Sequence, residues 1–149
     1  MHKRVLALDI GEKRIGIAAS DLSGTMSFPV DVLPANEVMS GARSWKRILE
    51  DHDPEILVIG LPISLSGEEN AQAERITRAA ELISRDCGLP FEFVDERLSS
   101  VQAKRLMREA GLDEKRARGR IDMVAASLFL QAWIDAQDAN ERPGDPDEA

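Results

Sequence analysis

The chain has one cysteine, two histidines and no apolar run near the ~18 residues a membrane helix needs. Each scarcity closes a route. Cys87 has no partner for an internal disulfide, which fits a reducing cytosol, and in "RDCGLP" it reads as filler at a helix end. No apolar stretch follows the basic start "MHKR", so neither a signal peptide nor a membrane contact is expected. His2 and His52 stand alone, and H-E-x-x-H and C-x-x-C are both missing, which leaves imidazole-based catalysis without support. "GEKRIGIA" spaces its glycines like a phosphate-binding P-loop, but Ile17 stands where that motif requires lysine. With no ammonium there to reach the β- and γ-phosphates, the P-loop reading fails.

Charge is the next constraint. The net charge of −8 argues against a polyanionic partner only until its distribution is read. Residues 137–149, "QDANERPGDPDEA", carry five acids and one base, half of the total. That stretch is polar, holds two prolines and lacks periodicity, so an acidic disordered tail is expected after a single domain at 1–136. Lys104 to Arg120 carries seven bases against three acids, a local excess that suits phosphate.

Periodicity then orders the elements. "RVLALDI" is nearly continuous in apolar residues, as a strand covered on both faces must be. "RIGIAAS" follows across a short turn as an antiparallel partner, and "SFPVDVL" reads as an edge strand because Pro29 cannot donate to a ladder. Val38, Ala42, Trp45, Leu49 and His52 form one helical stripe ended by Pro54. "EILVIG" is a buried parallel strand, Ala73, Ile76, Ala80 and Ile83 mark a second helix, and "FEFV" is the last strand. Ser99 and Gln102 have capping-box spacing for a third helix. A basic loop, Asp113 to Arg120, should lead into a final helix, "IDMVAASLFLQAWIDA". The order β-β-β-α-β-α-β-α-α, with right-handed crossovers, gives a mixed five-stranded sheet with helices on both faces. This is the ribonuclease H-like α/β architecture.

What remains for chemistry is carboxylate. Asp9 ends the central strand, Glu96 ends the last strand and Asp122 opens the final helix. Three acids gathered at one sheet end suit hard divalent cations, Mg²⁺ or Mn²⁺. Two such ions serve phosphodiester hydrolysis. Each acid alone has a plainer reading: Asp9 as a turn residue, "DER" as a solvated strand end, Asp122 as a partner of the helix dipole. Asp95 and Glu96 are adjacent and face opposite sides of a strand, so only one of them faces Asp9. Arg97 either balances these acids or forms a surface ion pair.

"LALDIGEKRIGIAASD", "ILVIGLPISLSGEENAQAERI", "FVDERLSSVQA" and "RIDMVAASLFLQAWI" resemble, in order, the four motifs of the YqgF family, also called RuvX. The resemblance spans about Arg4 to Ile134 and implies a bacterial cytoplasmic nuclease related to the junction resolvase RuvC. It implies a metal-dependent enzyme that processes the 5′ end of pre-16S ribosomal RNA, in contact with a pre-ribosomal particle. By resemblance the acidic site is Asp9, Glu96 and Asp122, with Asp95 supporting it or purely structural. Glu12 departs from the threonine usual after the first glycine and adds negative charge near phosphate. Lys13, Arg14, Lys115, Arg116, Arg118 and Arg120 are the candidate nucleic-acid contacts. Gly11, Gly16, Gly60, Pro62 and Gly67 shape the loops that position substrate, or serve ordinary turns. Two other readings compete with the rRNA nuclease. A Holliday junction resolvase acting on branched DNA would need two sites and hence a homodimer rather than a monomer. A non-catalytic nucleic-acid-binding module would have lost one acid, and all three are present. An actin-like ATPase fails on length, because it needs two such domains.

Overall fold

A strand without polar alternation must be covered on both sides, and "VLALDI" is. It forms β1 (Val5–Ile10), buried at every position except the half-buried Asp9. The computed structural model describes residues 3–62, 67–95 and 114–141. β1 is the centre of a five-stranded sheet of order β3-β2-β1-β4-β5. β2 (Arg14–Ser20) returns antiparallel through a tight turn, in which the Gly11 N–H donates to the Arg14 carbonyl at 2.8 Å. A Cβ on Gly11 would stand 2.7 Å from that carbonyl oxygen, so the turn closes because position 11 has no side chain. β3 (Ser27–Pro34) is an edge strand, as Pro29 requires, and its register with β2 shifts beside that proline. β4 (Ile56–Leu61) runs parallel to β1, and β5 (Phe91–Asp95) runs parallel to β4. The mixed sheet expected from the sequence is the one observed.

Alternation divides the core into two layers. Leu6, Leu8, Ile10, Ile15, Ile17, Leu57 and Ile59 face α1 (Ala35–Met39), α2 (Arg43–His52) and α3 (Gly67–Cys87). Val5, Ala7, Ala18, Ile56 and Val58 face α4 (Glu114–Glu141), which supplies Ala126, Phe129, Leu130 and Ile134. α4 is also pinned to the β3 edge by hydrogen bonds. The Ser27 N–H donates to Gln131 Oε1 at 2.8 Å, the Ser27 hydroxyl to the Ser127 carbonyl at 2.5 Å, and Gln131 Nε2 to the Thr25 carbonyl at 3.0 Å.

Three expectations are corrected. The single stripe from Val38 to His52 is two helices, because the chain turns at Gly41 with φ +69° before α2 begins. That turn resets the helical phase, so Ile48, outside the stripe, is buried with Trp45. The basic segment Lys115–Arg120 is not a loop but the first turns of α4. Lys, Arg and Ala are strong helix formers, and the ~1 kcal/mol cost of Gly119 does not outweigh them. Finally, α4 runs on to Glu141, past the expected domain boundary at 136. The rest of the proposed tail and the helix expected at Ser99 lie outside the described residues. No helix among the described residues is long and apolar enough to cross a membrane.

Candidate functional site

Asp9 continues the series Val5, Ala7 along β1, so it stands on the face covered by α4. Across the β1–β2 ladder its partner is Gly16. On the other side Leu8 pairs with Ile59, which sets the buried Gly60 level with Asp9 in β4. The acid is thus flanked on both sides by positions without side chains.

Gly16 is where α4 comes closest to the sheet. A Cβ built there would lie 2.3 Å from the Asp122 carbonyl carbon, 2.4 Å from its oxygen and 2.6 Å from the Met123 nitrogen. The helix backbone at Asp122 therefore rests on the bare strand, and one turn on, Ala125 and Ala126 are buried beneath it. Residues directly opposite in an antiparallel pair share a face. Gly16 and Asp9 are such a pair, so the contact brings Asp9 and Asp122, residues from opposite ends of the chain, to one corner of the sheet.

The Asp122 side chain is 30% exposed, and burial pushes its carboxyl above the ordinary carboxylate value, while the nearby Arg14 pulls it back down. A folded-state value above the unfolded one means that the protonated form fits the fold better. Stability from this group is fully present below the unfolded pKa and is lost as pH rises through the folded pKa. An ionised carboxylate under that penalty has reason to accept a cation. Arg14 Nε stands 3.6 Å from Asp122 Oδ2. On the same turn Lys13 is exposed, and Glu12, 79% exposed, is met by Arg75 at 4.0 Å, which offsets part of the charge it adds.

Other expected residues are placed as follows. Asp95 ends β5, where Phe91 packs with the α1–α3 layer and Val94 with the α4 layer. Asp95 alternates with Val94 and so falls on the side away from Asp9. Glu96 and Arg97 lie outside the described residues. Lys115, Arg116, Arg118 and Arg120 precede Asp122 on the same helix. Gly60 is within β4, Pro62 follows it and Gly67 opens α3. Among the described residues no three His, Cys, Asp or Glu form a metal-binding group. The close approach of the Asp122 helix to the sheet is legible in the small residues Ala125 and Ala126, which are buried as that reading requires. That Gly16 receives the helix, and that Arg14 pairs with Asp122, is not anticipated from sequence.

A mixed sheet of this order, with helices on both faces, is the ribonuclease H-like fold, and here it carries an acid at the end of its central strand and another on the helix packed over it. Residues 3–136 match the RuvX family, described as Holliday junction resolvase, and the chain belongs to that family. Chloroflexus aurantiacus has a relative named "Putative pre-16S rRNA nuclease", 37% identical over 91% of this chain and 89% of its own. A relative of the same name in Thermosynechococcus vestitus is 34% identical over 95% of this chain and 97% of its own. Among solved structures, Thermus thermophilus RuvC in complex with a Holliday junction substrate covers 91% of this chain and 96% of its own, at 14% identity and a TM-score of 0.55. That likeness is one of fold.

Proposed function

We propose that this protein is a metal-dependent nuclease that hydrolyses a phosphodiester at the 5′ end of pre-16S ribosomal RNA in the cytoplasm. The juxtaposition of Asp9 and Asp122 across Gly16 carries the chemical half of this reading. Relatives of that name, aligned over nearly their whole lengths, support the substrate. The donor set is hard oxygen and fits Mg²⁺ or Mn²⁺. Asp9, Asp122 and Glu96 would hold the metal, which when bound as a pair of ions activates water and stabilises the leaving oxygen. The protein's own residues fix where the phosphodiester sits. Lys13 and Arg14 beside the β1–β2 turn and the four bases at the start of α4 flank the two acids in sequence, and Gly60 stands level with Asp9 in β4. The family description favours a second reading, cleavage of a four-way DNA junction, which requires a homodimer with two sites.

The family resemblance supports Glu96 rather than Asp95 as the third ligand, and Asp95 at the end of β5 falls on the side away from Asp9. Glu96→Gln should therefore lower single-turnover cleavage far more than Asp95→Asn, and the reverse order would show the facing to be wrong.

A second expectation concerns phosphate. Replacing Lys115, Arg116, Arg118 and Arg120 with glutamine should weaken nucleic-acid binding and flatten the slope of log K against log salt by about 2 to 3, at ~0.7 per contact on single strands. Metal binding without nucleic acid should barely change. An unchanged salt slope would mean that these bases are a solvated helix face.

A further inference from the structure

We infer that Arg14 is a placeholder cation on Asp122, which a divalent ion must displace before the site can work. This rests on the reading of Asp122 as a metal ligand. Arg14 opens β2, two residues before Gly16, the point on which the Asp122 backbone rests. Its Nε is 3.6 Å from Asp122 Oδ2, an ion pair longer than a hydrogen bond. The two partners are unequally buried: the Arg14 side chain is 50% exposed and that of Asp122 is 30% exposed. The guanidinium is therefore the partner that can turn into water without opening the core, whereas the Asp122 backbone is held against the strand at Gly16.

A guanidinium and a divalent ion held against one carboxylate repel each other. Binding of the ion therefore releases Arg14, and the released guanidinium is a free donor fork beside the acids, suited to a phosphate oxygen. Arg14 thus serves the substrate only after the ion has taken its place, which sets an order of assembly at the site. It acts on metal binding through Asp122 and is a positioning residue in that step.

The test is Mn²⁺ binding without nucleic acid, followed by the loss of the free ion's paramagnetic resonance signal, in wild type, Arg14→Gln, Arg14→Lys and Lys13→Gln. Arg14→Gln should bind Mn²⁺ about three- to fivefold more tightly, the equivalent of losing an exposed ion pair. Arg14→Lys should stay within about twofold of wild type, because it keeps the charge. Lys13→Gln removes a neighbouring charge without touching the pair, and should also change affinity by less than about twofold. A second readout is the Arg14 Nε–H resonance, which should shift when diamagnetic Mg²⁺ saturates the wild-type protein. Unchanged or weaker Mn²⁺ binding in Arg14→Gln, an equal gain in Lys13→Gln, or an unmoved Arg14 resonance would each overturn the inference. Failure of the wild type to bind Mn²⁺ at all would instead strike the metal-site reading itself.

Discussion

Asp9→Asn is expected to lower cleavage about a thousandfold or more while leaving the fold intact. The substitution is nearly isosteric, and Asp9 is flanked in the sheet by Gly16 and Gly60. What is lost is the anionic oxygen on the central strand. Metal-ion stabilisation of a phosphoryl transition state is worth several kcal/mol, and each 1.36 kcal/mol is tenfold, so ~4 kcal/mol gives the stated loss. Stability should move the other way. Asp9 and Asp122 are brought to one corner, and Asp122 is already disfavoured as an anion by burial. Neutralising position 9 relieves like-charge repulsion. The Tm measured in EDTA should therefore hold or rise. Near-normal cleavage by Asp9→Asn would remove this acid from the chemistry, and a large fall in Tm would make its role structural.

Gly16→Val should damage both stability and activity, although no catalytic group is touched. The first added carbon would stand 2.3 Å from the Asp122 carbonyl carbon, and the atoms it meets are backbone, which cannot rotate aside. α4 must lift, against anchors at Ser27 and Gln131 that hold it to β3. Overpacking of this kind costs ~1–3 kcal/mol, and occasionally more. At roughly 2–4 °C per kcal/mol for a chain of this size, Tm should fall by about 2–12 °C. The displaced Asp122 should cost a further ~100-fold in cleavage, as a 1 Å misplacement of a reacting group does. Thermal unfolding and single-turnover cleavage on the same preparation separate the two effects. A variant with unchanged Tm and rate would mean that the helix does not depend on the bare strand at position 16.

The contrast between these two positions shows what sequence makes legible. Asp9 stands out as an acid at the end of an otherwise apolar strand, although by itself it reads equally well as a turn residue before Gly11. The sheet order is equally readable: β1 lacks alternation and so must be central, and Pro29 confines β3 to an edge. Gly16 is different. Its role depends on which helix crosses it, and that is decided by contacts between residues a hundred positions apart. Local rules therefore describe it only as a permissive residue near a turn. The break at Gly41 was hidden for another reason. Val38, Ala42, Trp45, Leu49 and His52 keep helical spacing in the sequence, so the pattern reads straight across a turn that resets the phase in space. At Lys115–Arg120 charge density suggested a loop, yet the same residues are good helix formers and needed only α4 to extend.

The central claim, metal-dependent hydrolysis of ribosomal precursor RNA, is tested most directly by cleavage of two substrates side by side. A pre-16S 5′-leader RNA and a four-way DNA junction are incubated with the full chain, with Mg²⁺ and with EDTA in excess. The account predicts cleavage of the leader RNA in Mg²⁺, none in EDTA, and little or none of the junction. Undiminished cleavage in EDTA, or cutting of the junction in preference to the RNA, would contradict it.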